Sequence, residues 1–164
     1  MIRIAHRGNY NGKNILRENT KSYIEEAIEA GYDVEVDAWL IGHSWHLGHD
    51  FPGETVPLSF FERANIWTHA KNLIGYVSLY NNPKVHTFWH DKDDFVYTNK
   101  GIKWAHAGIV TYDGVVVMPE LSEKITKMLQ SGEFEPLGIC SDNFDLFNPD
   151  SETDLLDQGL PTNF

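Results

Sequence analysis

The chain has 164 residues, enough for one domain with a sizeable core and too few for two. Apolar residues make up 41%, the balance of a folded globular protein rather than a disordered one. Acids outnumber bases 24 to 13, a net charge of −11, which argues against nucleic acid as a partner because phosphate backbones are bound by surplus Lys and Arg.

The chain opens on a short apolar strand, "IRIA", and passes into a loop rich in Asn and Gly over residues 8–14. A helix follows. Asn19 or Thr20 can cap it, Tyr23, Ile24, Ala27 and Ile28 give it one apolar face, and Gly31 stops it. "DVEVDAWL" alternates as a strand does, with Val34, Val36 and Ala38 on one side and Glu35 and Asp37 on the other. "IGHSWHLGHD" then reads as a tight turn at Gly42–Ser44 with a short return strand. A short helix is expected in "PLSFFERA", a third strand in "NIWTHAKN", a helix over 72–81 and a fourth strand in "KVHTFWHDKD". Residues 95–107 read as a hairpin turning at Asn99–Gly101. "GVVVMPE" is a buried strand, a helix runs from its Ser122 cap to Gly132, and "LGICSDN" is the last strand. Strand and helix in alternation predict a parallel sheet with crossover helices, in a single α/β domain over residues 1–164.

Cys140 is the one cysteine, so no intrachain disulfide can form and a reducing compartment is expected. No charged-then-apolar leader precedes the strand at Ile2, and the longest strongly apolar run, "GVVVM", is far below the ~20 residues of a membrane helix. The expectation is a cytoplasmic protein with no membrane span. Acids crowd the tail "SDNFDLFNPDSETDLLDQG", where they are expected to form a solvated face.

Two places do not serve folding. Glu35 and Asp37 lie at i and i+2 on a strand, so they project from one face with their carboxylates close enough to share a cation. Unpaired in a core they would repel and cost several kcal/mol, so a positive partner is needed between them. The next strand repeats the spacing with His69 and Lys71. His6 and Arg7 end the first strand, and in parallel α/β folds that end is where sites form. Arg supplies a permanent planar fork for phosphate oxygens, and His moves protons near neutrality. Gly8 would let a substrate approach the backbone. His49 returns after the turn toward the same end. Two imidazoles, a metal and an Arg are the equipment for cleaving a phosphoester, one imidazole as base and the other as acid.

Taken together, "HRG", "ENT", "EVDAWL" and "LGHD" over residues 2–50 resemble the glycerophosphodiester phosphodiesterase family, within the wider phospholipase-C-like TIM-barrel phosphodiesterases. The final "GICSDN" is similar to that family's last barrel strand. The resemblance implies His6 and His49 as the acid/base pair, Glu35 and Asp37 as ligands of Mg²⁺ or Ca²⁺, and Arg7 as a phosphate clamp. It places Glu18 of "ENT" in the same site, near the metal or orienting Arg7. The family's third strand offers Glu-x-Lys. Here it reads His69-x-Lys71, which leaves Lys71 as a phosphate contact and puts an imidazole among the metal ligands. That exchange tilts the metal preference toward Mn²⁺ or Zn²⁺.

The full barrel of this kind takes about 250 residues. The expectation is therefore a truncated TIM (β/α) barrel, with fewer helices than eight units require and the 95–107 hairpin inserted. Its exposed surface would be a natural place for a homodimer.

Other features are weighed against plainer readings. His43 and His46 are expected to face solvent. In "FWHDKDD", His90 sits where substrate contacts are found, and Trp89 or Trp104 could wall the alcohol half of a diester. Glu120 could contact substrate, and Cys140 reads as a small core residue. The leading expectation is a metal-dependent phosphodiesterase acting on a glycerophosphodiester-like small molecule. The alternatives are a different diester substrate within the same superfamily, or a degenerate barrel that binds a phosphorylated ligand without turnover.

Overall fold

The computed structural model describes residues 1–147, so the acidic tail from residue 148 on lies outside the described residues, and its first acid, Asp142, is buried where a solvated face was expected. In chain order the elements are β1 (Ile2–His6), α1 (Lys21–Glu29), β2 (Asp33–Ile41), β3 (Ser44–Leu47), β4 (Thr55–Val56), β5 (Ile66–Ala70), α2 (Leu73–Tyr80), β6 (His86–Phe88), β7 (Phe95–Tyr97), β8 (Lys103–Ala105), β9 (Gly114–Val117), α3 (Glu123–Gln130) and β10 (Gly138–Ser141). Each helix end has a local cause. Gly31 takes a φ of +92° just past α1, Asn72 caps α2 by accepting from the Gly75 N–H, and Ser122 caps α3 by accepting from Ile125.

The ten strands form one mixed sheet. Its spine runs β6-β5-β2-β1-β10-β9-β8 with all neighbours parallel. At one end β7 adds antiparallel to β8, and the β3–β4 hairpin pairs antiparallel with the far half of β2.

This corrects the expectation of a truncated (β/α) barrel. Among the described residues a ten-stranded mixed sheet carries three α-helices of eight or nine residues, too few to layer such a barrel. Helices connect only β1 to β2, β5 to β6 and β9 to β10. From β2 to β5 the chain returns through the β3–β4 hairpin and a single 3₁₀ turn at Leu58–Phe60, where a short helix was expected. From β6 to β8 it uses antiparallel β7, and β8 to β9 is a loop.

Period-two alternation along β2 sorts two cores. Val34, Val36 and Ala38 face outward into a cluster with Ile24, Leu47, Phe61 and Leu79, under α1 and the β3–β4 hairpin. The opposite face of the sheet curls, so that Ile4, Trp67, Phe88, Trp104, Val115 and Cys140 from six different strands meet. Glu35 and Asp37 open onto this second face, and both are buried, at 3% and 0% exposure. That burial is what turns an i, i+2 pair of acids from a wet edge into a site.

Candidate functional site

The carboxyl ends of β1, β2, β5, β6 and β10 hold the polar groups. A small cavity of about 220 Å³ is bordered there by His6, Arg7, Glu35, His49, His69 and His90, with Phe88 and Trp104 forming its apolar side. Register explains the meeting. His6 lies opposite Glu35 across β1–β2, and Asp37 opposite His69 across β2–β5.

His69 Nδ1 is 3.1 Å from Asp37 Oδ1 and 3.8 Å from Glu35 Oε1. These three residues offer donor atoms that all lie within 4.8 Å of one another. The other ring nitrogen, Nε2, is 3.1 Å from the His90 carbonyl oxygen, so it carries the hydrogen and donates. Nδ1 then faces the acids, as a donor to Asp37 when the ring is charged and as a free lone pair for a metal ion when it is neutral. Asp37 Oδ1, although buried, has no hydrogen-bond partner. Lys71 Nζ, 3.5 Å from that same oxygen, offsets part of its burial cost without a hydrogen bond, which leaves a lone pair open to a further cation. Two carboxylates and an imidazole whose far nitrogen is anchored by a carbonyl make a chemically suitable set for a divalent ion.

The two acids titrate in opposite directions. Burial raises Glu35, and the neighbouring Asp37 charge raises it further, beyond what His6, His69 and Arg7 recover. Burial also works to raise Asp37, but the His69 ring, when it is charged and its Nδ1–H points at the carboxylate, and the charges of Arg7 and Lys71 hold it well below the usual range. Arg7 Nε is 3.1 Å and Lys71 Nζ 3.5 Å from its oxygens.

Arg7 is held from several sides. Its Nη1 donates to Glu18 Oε2 at 3.2 Å, and Glu18 Oε1 accepts from Asn9. Its backbone N–H donates to the Glu35 carbonyl at 2.9 Å while φ sits at +56°. Asn19 shares that φ, donates its N–H to the Arg7 carbonyl, and accepts from and donates to Asp37 through its side-chain amide. Left-handed backbone at a non-glycine residue costs of order 1–3 kcal/mol and is kept where surroundings over-determine it. Glu18 therefore orients Arg7 and does not reach the metal-type cluster.

His6 Nδ1 donates to Asp142 Oδ1 at 2.8 Å, which leaves Nε2 as its reactive nitrogen. Burial lowers this imidazole, yet the Asp142 hydrogen bond and the Glu35 charge outweigh burial and its pKa is raised. His49 Nδ1 likewise donates to a carboxylate, Asp50 Oδ1, at 2.8 Å. It is shifted the other way. Burial lowers it, and the charges of Arg7 and Lys71 add to that against Asp37 and Asp50. Two imidazoles pushed apart in this way divide into an acid and a base.

Asp142, Asn9 and Asn19 were not singled out from the sequence as site residues. Asn19 appeared there only as a helix cap, and Thr20 takes the cap position without a side-chain bond. Asp142 stood in view within "GICSDN", but its partner is 136 residues away. Glu120 proves to be support rather than a substrate contact. Its Oε1 accepts from the Asp142 N–H at 2.9 Å and from Ser141 Oγ at 2.8 Å.

The remaining candidates separate. His90 borders the cavity, with Nε2 donating to the Asp93 carbonyl. Trp89 stands outside the cavity, edge-on to Tyr76 at 5.8 Å, whereas Trp104 is buried and stacks on Phe88. Gly8 has a packing reason of its own. Its φ is +91°, and a Cβ there would meet the Tyr23 ring at 3.0 Å, so packing against α1 demands the glycine. His43 is exposed, His46 half-buried, and Cys140 fully buried.

Asp142→Asn is expected to lower the His6 pKa, because the amide can still accept the Nδ1 hydrogen bond but no longer stabilises the charged ring. The ring-proton titration of His6 followed by NMR should move to lower pH. An unmoved titration would mean that Asp142 has no electrostatic hold on the imidazole.

No family model, no curated protein and no solved structure matches this chain.

Proposed function

We propose that this chain hydrolyses small phosphodiesters of the glycerophosphodiester kind, using one divalent cation held by Glu35, Asp37 and His69. The observation that carries the reading is the convergence on one cavity of two imidazoles, each anchored through Nδ1 to a carboxylate, with Arg7 and a three-residue donor set that includes a buried carboxylate oxygen without a hydrogen bond. The resemblance of "HRG", "ENT", "EVDAWL" and "LGHD" to a phosphodiesterase family rests on these same residues and agrees with this chemistry.

A bound divalent ion supplies Lewis acidity toward the phosphoryl oxygens. Mn²⁺ or Zn²⁺ suits the imidazole-containing set better than Ca²⁺ does, with Mg²⁺ between them. Arg7, fixed by Glu18 and Asp37, offers its guanidinium to a phosphate oxygen, and Lys71 adds a second positive charge. His49, the imidazole of lowered pKa, takes the proton from the attacking hydroxyl at Nε2. His6, the one of raised pKa, gives its Nε2 proton to the departing alkoxide. Water as the nucleophile yields an open monoester. A neighbouring substrate hydroxyl yields a cyclic phosphate, and ³¹P NMR of the product separates the two.

Turnover of bis-p-nitrophenyl phosphate and glycerophosphocholine, assayed across Mg²⁺, Ca²⁺, Mn²⁺ and Zn²⁺, is the test. The expected result is activity that stops with EDTA and returns best with Mn²⁺ or Zn²⁺. Turnover indifferent to chelator would remove the metal from the reading. A second reading, a phosphate-ester binder without turnover, draws on Arg7 and Lys71 already neutralising Asp37, so that a phosphate could be held with no metal. Tight ester binding without turnover in any of the four metals would favour it.

None of the helices among the described residues is long and apolar enough to cross a membrane. The uncharged outer face of α2, with Leu73, Ile74, Val77 and Tyr80 exposed, is where a homodimer would form. A buried, lone Cys140 suits a reducing compartment such as the cytoplasm.

A further inference from the structure

Asn9 is fully buried beside the site, and the proposed chemistry gives it no task. It closes the turn that ends β1. Its backbone N–H donates to the His6 carbonyl at 2.9 Å, and φ is positive at both central residues, Arg7 and Gly8. Those are the marks of a type I′ turn. Both hydrogens of the Asn9 amide are taken by acids. Nδ2 donates to Glu18 Oε1 at 2.9 Å and to Asp142 Oδ1 at 2.8 Å, while Oδ1 accepts from the Asn14 backbone N–H at 2.9 Å. The amide can face only this way, since an ionised carboxylate accepts and a backbone N–H donates.

Each of the two acids makes a second contact, with a group of the site. Glu18 Oε2 accepts from Arg7 Nη1 at 3.2 Å, and Asp142 Oδ1 accepts from His6 Nδ1 at 2.8 Å. Burial works to raise Asp142, but the His6 ring and then the Asn9 amide hold it below the usual range, so it stays ionised. The side chains thus form an unbroken line, Arg7 to Glu18 to Asn9 to Asp142 to His6, with a neutral amide at its centre. An aspartate there would set a third carboxylate against the other two. An alanine would leave both acids short of a donor. We infer, resting on the phosphodiesterase reading, that Asn9 is a positioning residue: through Glu18 and Asp142 it locks the phosphate-binding guanidinium of Arg7 and the proton-donating imidazole of His6 into one arrangement. The two groups must meet one phosphoryl group from two sides, and a misplacement of about 1 Å can cost roughly 100-fold in rate.

A double-mutant cycle between the two acids tests this with Asn9 left in place. Glu18→Ala frees Arg7 and Asp142→Ala frees His6, and each also removes one support of the shared amide. On glycerophosphocholine in Mn²⁺, each should lower kcat/KM at least ~10-fold. The double variant should fall short of the product of the two losses by at least ~10-fold, because each truncation already loosens the other half. In an Asn9→Ala background the link is cut, and the same two losses should multiply to within about twofold. Should Asn9→Ala not fold, Asn9→Ser takes its place, since one hydroxyl hydrogen cannot serve both acids. A second readout needs no turnover. Glu18→Ala should shift the NMR resonance of the His6 Nδ1–H proton in the wild-type background and leave it in place in the Asn9 variant. An asparagine that only fills space would leave that proton indifferent to Glu18 in both. Losses that multiply in the wild-type background, or a His6 proton that ignores Glu18, overturn the inference. If no diester is turned over under any metal yet the proton answers to Glu18 only through Asn9, the hydrolase reading fails and the coupling stands. Turnover with multiplying losses leaves the hydrolase reading and removes the coupling.

Discussion

Replacing His49 with alanine is expected to cut turnover at least ~100-fold on every phosphodiester tested, whereas His6→Ala should do so only when the leaving alcohol is a poor one. The asymmetry follows from the two ring environments. His49 is held toward its neutral form, ready to accept a proton from the nucleophile whatever leaves. His6 is held toward its charged form by Asp142 and Glu35, ready to give a proton to the departing oxygen. p-Nitrophenolate leaves as a stable anion and has little need of that proton, while the alkoxide expelled from glycerophosphocholine needs it. On glycerophosphocholine both variants should therefore lose at least ~100-fold, about 2.7 kcal/mol of transition-state stabilisation. On bis-p-nitrophenyl phosphate only His49→Ala should. The reverse pattern would exchange the two roles, and equal small losses in both variants would remove acid–base catalysis from these residues.

The second large effect separates the paired acids. In EDTA, Asp37→Asn should destabilise the protein by about 3–5 kcal/mol, because Arg7 and Lys71 lose the buried carboxylate that neutralises them. For a chain of this size that lowers Tm by roughly 10 °C. Glu35→Gln should leave Tm unchanged or higher, since Glu35 is strained by burial and by the Asp37 charge. The pH dependence has matching signs. The raised pKa of Glu35 means that apo stability falls as pH climbs from the ordinary carboxylate range through the raised value. The lowered pKa of Asp37 means that its contribution is present above the ordinary aspartate range and is lost as pH falls toward the depressed value. Mn²⁺ should raise the wild-type Tm by mass action and should raise neither variant's. Equal Tm losses in the two variants without metal would show that the pair is not polarised as described.

Local signals carried the elements further than the architecture. Gly31, Ser122 and Gly132 end or cap helices by backbone rules that need only neighbouring residues, and the alternation through Val34–Ala38 set both faces of β2. What those signals could not convey is which connections lack a helix. "PLSFFERA" has helical content, yet only Leu58–Phe60 winds, as a 3₁₀ turn, because the β3–β4 hairpin already returns the chain toward β5. Likewise Phe95–Tyr97 pairs antiparallel to β8 and occupies the place a crossover helix would take. Strand partners are decided by long-range pairing, so a motif resemblance over residues 2–50 and one final strand could not fix the number of βα units between them.

The site followed the same division. His6, Arg7, Glu35, His49 and His69 stand at strand ends or on strand faces, where spacing alone places them. Asp142 and Asn9 act through partners more than 130 residues apart in the chain, and no local pattern announces such a bond. Asn19 differs. Its left-handed backbone beside Arg7 is a local feature, but "ENT" reads first as a helix start, and the capping interpretation hid the bonds to Asp37.

The claim on which the rest depends is that Glu35, Asp37 and His69 hold one ion between them. A crystal structure of the protein soaked in Mn²⁺, with the anomalous signal recorded at the manganese edge, tests it most directly. The account predicts a single strong peak about 2.1 Å from Asp37 Oδ1, a Glu35 oxygen and His69 Nδ1. A peak elsewhere, or none at millimolar Mn²⁺ with the three side chains in place, would contradict it.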